Sequence, residues 1–359
     1  MPKGGLEPPR VYTPWILSPV RLPNSATSAV AKISSYNLYL LTVLVKEMRI
    51  LRDNFSPKDF VRPVLTIGSF DGVHLGHRLL IKRAQEEAKS RRGEVVIFTF
   101  EPHPMHVLNP HQKLLLLTPL ESKLYLLESL GVDTVIAYPF SHETAQKSPE
   151  AFVEEVLYRS IRPLKVIVGY NFTFGKNRGG NAETLRDLGD IFGFQVEVLP
   201  PLEVDGIAVS SSYIRSLILQ AEVEKASKYL GNPFFIKGEV VHGEKLGSLF
   251  GIPTANLKVD PLQILPKGVF VVKVSWDKKG PYGGVLNIGT RPTFGGKQLS
   301  VEVHLINFSE NLYGEKLLIE FVKKIRDERQ FESPQALSQQ IKKDIEYALE
   351  VLNSLRTFK

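Results

Sequence analysis

The pattern of this chain changes once, at Gly231-Asn232-Pro233, and that change constrains the fold more than any other feature. From Val61 to about Leu230, short apolar runs at 64–67, 95–100, 134–137, 166–168 and 196–199 alternate with helical stretches near 78–90, 120–130, 149–160 and 182–192. Strands apolar on both faces, with helices between them, predict a parallel, doubly wound sheet. Ligands on such sheets bind beyond the carboxyl ends of the strands. After Pro233 the runs at 235–241, 269–276, 284–288, 300–308 and 316–322 are β-rich, with Gly, Pro and Asn between them. That pattern predicts an antiparallel barrel or sandwich. A final helix is expected from about Pro334 to Leu355, with Ser333 as N-cap and Pro334 at its first position.

A length of 359 residues favours two domains. The absence of cysteine excludes disulfides, thiolate chemistry and sulfur-ligated metals, and fits a reducing compartment, so a cytoplasmic location is expected. The net charge of +7 suits anionic small ligands, but it is not gathered into the blocks of a nucleic-acid arm. The nearest approach to a membrane span, residues 38–45, is far short of the roughly 20 apolar residues needed. Neither a nucleic-acid partner nor a membrane is expected. Residues 1–47 are rich in Pro, Ser and Thr and poor in acid, and three readings compete: a transit peptide, a disordered regulatory extension, or an upstream stretch preceding a functional start at Met48. The last is favoured because the strand-helix alternation begins just after Met48. The expected division is therefore a tail over 1–47 and domains over 48–232 and 233–359.

Gly68 to His77 (GSFDGVHLGH) joins the run at 64–67 to a helix. A strand-to-helix turn gathers free backbone N–H groups at the positive end of a helix dipole, which favours an anion. His74 and His77, three residues apart on the first turn, can face one ligand. Gly72 and Gly76 are read as positions where a phosphate approaches the backbone. Three more segments follow strands: Glu101-Pro102-His103-Pro104, the stretch Gly169 to Lys176 with Asn171 and Thr173, and Ser210-Ser211-Ser212-Tyr213-Ile214-Arg215. The hydroxyls and guanidinium of the last suit phosphate.

The second half holds a different constellation. There is no GxxxxGK[ST], so a kinase here is not a P-loop enzyme. Gly243, Gly247 and Gly251, spaced by four, let a backbone curl round phosphate, with Lys245 between them. Thr254 and Asn256 share a face if extended and offer neutral oxygens suited to Mg²⁺ bridged by phosphate. If residues 299–305 form a strand, Glu302 and His304 lie on one face and Val301, Val303 and Leu305 on the other.

GSFDGVHLGH, TFEPHP, VGYNFTFGKNRGG and VSSSYIR, followed by GIPTAN, NIGTRPTF, VEVHLINFSENLYG and IRDERQF, resemble in order the two modules of the prokaryotic bifunctional riboflavin kinase/FAD synthetase family. The resemblance implies a Rossmann-like nucleotidyltransferase domain followed by an antiparallel flavokinase barrel with a C-terminal helix. It implies phosphorylation of riboflavin to FMN, then adenylylation of FMN to FAD with release of pyrophosphate. It also implies ATP as co-substrate, Mg²⁺, and no tightly bound prosthetic group.

Mapped here, His74 and His77 would stabilise the α-phosphate, with Gly68, Phe70, Asp71, Gly72, Ser211, Ser212 and Arg215 around ATP. Glu101, Asn171 and Thr173 would lie near the flavin, Glu101 standing where aspartate is common in the family. In the second module Glu302 would be the general base on the ribityl hydroxyl. Thr254 and Asn256 would hold the metal, Gly243, Lys245, Gly247 and Gly251 the nucleotide, and Asn287, Arg291 and Arg326 the flavin or nucleotide. Ser248 replaces a basic residue usual between the last two glycines. Two alternatives are kept: an FAD synthetase whose barrel lacks kinase activity, and a barrel that only senses flavin.

Overall fold

The computed structural model describes residues 47–355 apart from 113, 244–251, 278 and 294–295. Residues 1–46, with the expectations placed on them, lie outside the described residues, and Met48–Lys359 form one compact unit.

The first half is a six-stranded parallel sheet built from β1 (Arg49–Leu51), β2 (Val64–Ile67), β3 (Val95–Glu101), β4 (Thr134–Pro139), β5 (Lys165–Gly169) and, after two small hairpin strands β6 (Thr173–Phe174) and β7 (Gly180–Asn181), β8 (Gln195–Leu199). Its spatial order is β1-β4-β3-β2-β5-β8. Successive residues of each central strand feed opposite cores. Val64, Val95, Ile97 and Ile167 pack under α1 (Leu75–Arg91) and α3 (Leu120–Ser129). Leu65, Val96, Phe98, Val166 and Val168 pack against the helical turns at Phe152–Tyr158 and α6 (Ala182–Phe192). Both faces are covered, which is why the strands read as continuous apolar runs. Strand order reverses between β2 and β5, and a doubly wound sheet leaves its crevice at such a switch point.

Short helices α2 (Pro104–Leu108), α4 (His142–Gln146) and α5 (Pro149–Ala151) edge the sheet, and a hairpin of β9 (Glu203–Val204) and β10 (Ile207–Ala208) leads to α7 (Ser211–Leu219) and α8 (Val223–Leu230). The second half is a closed barrel of β11 (Phe235–Val241), β12 (Ala255–Val259), β13 (Gly268–Trp276), β14 (Lys279–Thr293), β15 (Gly296–Leu305) and β16 (Lys316–Arg326), in the order β11-β12-β15-β14-β13-β16. Closure resolves the choice between barrel and sandwich. The sequence seam at Gly231–Pro233 is not a seam in the core. Ile214, Ile218, Tyr229 and Leu230 of α7 and α8 share one apolar cluster with the barrel residues Ile236, Phe270, Leu286, Val303 and Ile319.

Helix α9 (Pro334–Ser354) lies on the outside of the barrel, where Ala348 and Leu352 cover Val269, Val271 and Val285. Ser333 caps it, accepting from the Ala336 N–H. One ion pair locks it in register: the Arg326 guanidinium of β16 donates to both oxygens of Asp344, which is only 2% exposed. Asp344→Ala strands a half-buried guanidinium and should destabilise the chain by about 3–5 kcal/mol, measured by denaturant unfolding. A change below about 1 kcal/mol would show the pair to be energetically idle.

Candidate active sites

The loop after β2 turns tightly, with Phe70 and Val73 at φ 48° and 40° and Gly72 at φ 88°. His74 caps α1: its Nδ1 accepts from the His77 N–H at 3.4 Å, which leaves the ring proton on Nε2. The two imidazoles stack, centroids 3.6 Å apart and 13° from parallel, and the buried Phe70 ring lies 5.0 Å from that of His77. A Cβ at position 76 would come within 3.2 Å of the His74 ring. The space above Gly76, read from sequence as an approach for phosphate, is therefore occupied by that imidazole. Burial pushes His74 down to about 4 against the opposing charge of Asp71. Burial, with His74 and Lys123 adding to it, drives His77 well below the ordinary histidine value. Both rings are neutral near pH 7.

Asp71 organises the site from below. Its carboxylate, 1% exposed, accepts from Leu117 N, Thr118 N and the Arg215 guanidinium, the last at 2.7 Å. Its carbonyl accepts from Ser211 Oγ at 2.9 Å. Asp71 thus joins the β2 loop to the start of α7 and holds Arg215 in place. Ser212 is exposed beside them on the first turn of α7. His77 Nδ1 and Arg215 Nε are buried without a hydrogen-bond partner among the described residues.

Of two further members of this cluster, Lys123 is not singled out by the sequence and His103 is named only within the segment after β3. Lys123 on α3, 3% exposed, donates to Thr99 Oγ1 at 3.2 Å, and Thr99 in turn donates to the Ser69 carbonyl. Burial lowers its pKa, while Asp71 and Glu101 oppose that. His103 caps α2 by accepting from Met105 N, and burial lowers it to about 4. A lysine in an amphipathic helix ordinarily marks the solvated face, so periodicity offered no signal for Lys123. Glu101 ends β3 within the field of Lys123. Asn171 and Thr173 are exposed beyond the end of β5, across the switch point from the histidines. The rings of Phe172 and Phe174 stack beside them at 5.4 Å.

On the barrel, strand register places Asn256, Glu302 and Asn287 directly opposite one another across β12, β15 and β14. Val301, Val303 and Leu305 point into the barrel core, so this polar row lies on the outer wall, as the alternation predicts. Thr254 Oγ1 donates to one Glu302 oxygen at 3.5 Å and Ser300 Oγ to the other at 3.0 Å. A Cβ on Gly243 would fall 2.1 Å from the Asn256 amide nitrogen, so only glycine leaves room for that side chain. Gly243→Ala should displace the Asn256 side chain; a crystal structure of the variant checks this, and an unmoved Asn256 would show that the wall accommodates a methyl group there.

Arg326, expected near flavin, is engaged with Asp344, and Arg291 occupies β14 opposite Gln298. Lys245, Gly247, Ser248 and Gly251 lie outside the described residues.

A nucleotide-type crevice on a doubly wound sheet, joined to a barrel bearing a carboxylate among neutral oxygens, defines a two-site transferase. Residues 56–213 match the family model for FAD synthetase and residues 230–352 the model for riboflavin kinase. A bifunctional riboflavin kinase/FMN adenylyltransferase of Bacillus subtilis (strain 168) is 37% identical over 301 residues, 82% of this chain and 94% of that one. The protein of the same description from Escherichia coli (strain K12) is 38% identical over 282 residues, 78% and 90% of the two chains. A crystal structure titled as a macrolide-efflux protein from Streptococcus pneumoniae shares the fold, with a TM-score of 0.75 and 28% identity over 86% of this chain and 99% of that one. Among the described residues no helix is long and apolar enough to cross a membrane. The chain belongs to the bifunctional riboflavin kinase/FMN adenylyltransferase family.

Proposed function

We propose that the family's two reactions divide between the two constellations. ATP phosphorylates riboflavin to FMN at the outer wall of the barrel around Glu302. A second ATP adenylylates FMN in the crevice between the β2 loop and α7, where the FMN phosphate attacks the α-phosphate and pyrophosphate leaves. The observation that carries the second assignment is the pair of buried polar atoms, His77 Nδ1 and Arg215 Nε, that lack a partner among the described residues.

In that crevice the neutral imidazoles of His74 and His77 offer N–H donors to the α-phosphate as charge builds on it, stabilisation on which phosphoryl chemistry mostly rests. Arg215, aimed by Asp71, and the hydroxyls of Ser211 and Ser212 bind the departing phosphates. Gly68 is assigned to the nucleotide, with Phe70 and Gly72 supporting the loop from the core: Phe70 is fully buried, and the space beside Gly72, read from sequence as an approach for phosphate, is filled by Leu117 and Leu230. Glu101, Asn171 and Thr173 border the flavin side, and Lys123 lies beneath the loop, bonded to Thr99.

On the barrel, Glu302 takes the proton of the ribityl hydroxyl as it attacks the γ-phosphate. Gly243, Lys245, Gly247 and Gly251 are assigned to ATP, and Asn287 and Arg291 to flavin. Arg326 is assigned there through the anchoring of α9 that Asp344 supplies. Among the described residues there is no cluster of three or more His, Cys, Asp or Glu side chains able to hold a metal. Thr254 Oγ1 and the Asn256 amide are instead neutral hard-oxygen donors, which fits a Mg²⁺ carried by phosphates. When bound, Mg²⁺ neutralises phosphate charge during transfer. We place the enzyme in the cytoplasm, the adenylyltransferase module in 48–232 and the kinase module in 233–359.

Chromatographic separation of flavins tests the division. Glu302→Ala should form FMN from riboflavin at least about 10²-fold more slowly but still convert FMN to FAD, and His77→Ala should do the reverse. A barrel that only binds flavin would leave FAD formation from riboflavin unchanged in Glu302→Ala.

A further inference from the structure

Residues 114–118 form a strap between the two modules. On one side its backbone holds the adenylyl-transfer crevice: Leu117 N and Thr118 N donate to the Asp71 carboxylate at 3.2 and 2.9 Å, and Thr118 Oγ1 accepts from Gly72 N at 2.7 Å. On the other side it bonds to the turn after β12. Leu116 N donates to Leu262 O at 2.7 Å and Ile264 N to Leu116 O at 2.9 Å, pairing Leu116 with Gln263. That turn is itself built, since Asp260 accepts from Leu262 N through its carboxylate and from Gln263 N through its carbonyl. Gln263, 5% exposed, donates from Nε2 to Leu117 O at 3.1 Å and to Ile264 O at 3.1 Å.

Gln263 belongs by sequence to the kinase match, whereas Leu117 and Asp71 belong to the FAD synthetase match and Arg215 lies just beyond its end. We propose that Gln263, a barrel residue, is a positioning residue for adenylyl transfer: it fixes the Leu117–Thr118 peptide, whose Thr118 N–H holds Asp71, which in turn aims Arg215. A buried amide whose donors are both used up on carbonyls is directional in a way that an apolar side chain of the same size is not. The role suits a residue outside the crevice. Asp71 Oδ2 accepts from both Arg215 and Leu117 N while Oδ1 accepts from Thr118 N, so a strap free to slide would let Asp71 turn with it. Because Arg215 meets phosphates in both ground and transition states, slack in this chain raises KM for ATP more than it lowers kcat. The inference rests on the assignment of adenylyl transfer to the His77–Arg215 crevice.

The test uses the full-length enzyme and both half-reactions, assayed separately from riboflavin and from FMN. Gln263→Met keeps the volume and removes the donor. It should raise KM for ATP in FMN adenylylation about tenfold, with kcat within about threefold. Riboflavin phosphorylation should stay within twofold of the parent. Gln263→Leu should behave alike, which guards against a folding defect peculiar to one side chain. Asp71→Asn should also raise this KM, and combining it with Gln263→Met should add little, since both act through one chain of contacts. Unchanged KM, a fall in kcat alone (the mark of a smaller folded fraction), a parallel loss of both activities, or multiplicative effects in the double variant would each overturn the proposal. His77→Ala is run beside them. Full adenylylation in that variant would overturn the crevice assignment itself, whereas its loss together with an unaffected Gln263→Met would overturn the role of Gln263 alone.

Discussion

Glu302→Ala is expected to lower riboflavin phosphorylation by about 10²–10⁴-fold, the range that a positioned carboxylate base contributes. The argument starts from register. Glu302 stands between Asn256 and Asn287 on the outer wall, and hydroxyls of Thr254 and Ser300 reach its two oxygens. Those donors fix the carboxylate's orientation while its core-facing neighbours Val301 and Val303 hold the strand. Glu302→Gln keeps the shape and the hydrogen-bonding partners but accepts no proton, so it should lose nearly as much as the alanine variant. FMN supplied directly should still become FAD at the parental rate in both. Rates of FMN formation by the two variants within tenfold of the parent would remove Glu302 as the base. A matching loss of adenylylation would show damage to the fold rather than to the chemistry.

The doubly wound sheet was legible because burial on both faces leaves unbroken apolar runs, and all five of the strands so expected form. The edge strand β1 was not, since three residues carry no period. Strand β12 was missed for a related reason: of its five residues only Leu257 is buried, so no apolar run marks it. Helix α1 begins at Leu75, ahead of the expected 78–90, and its N-cap is a histidine rather than the Ser, Thr, Asp or Asn that marks a start in sequence. In the site, spacing brought His74 and His77 together on one turn. What it could not show was direction. Asp71, expected around ATP, faces inward to backbone 46 and 47 residues away, and Arg326 faces Asp344 on a helix whose docking only the closed barrel determines. Lys123 and Gln263 look like ordinary polar residues until tertiary contacts bury them.

His77→Ala should lower adenylylation of FMN by about 10²–10³-fold, the usual cost of one preorganised donor to developing phosphate or oxyanion charge. His74→Ala should cost at least as much, because His74 also caps α1 and stacks on His77. FMN should accumulate from riboflavin in both variants. The protonation states sharpen this expectation. Burial lowers both histidines, His74 to about 4 and His77 well below its ordinary value, so the active forms are neutral donors. An unperturbed histidine titrates near pH ~6.5, and a mechanism that needed imidazolium would lose rate above that pH. Here kcat for adenylylation should show no inflection between about pH 6 and 8 that belongs to these rings.

Stability follows the same sign. Between His74's folded value of about 4 and the unfolded value near 6.5, the unfolded chain binds more protons than the native one. The contribution of the pair is therefore complete above about pH 6.5 and is lost as the pH falls toward 4. Replacing both histidines should flatten the acid limb of a Tm-versus-pH curve. An unchanged acid limb, or a kcat inflection near pH ~6.5 that vanishes in His77→Ala, would mean that the rings are charged at work. The crevice would then hold its phosphate by ion pairing and not by neutral donors.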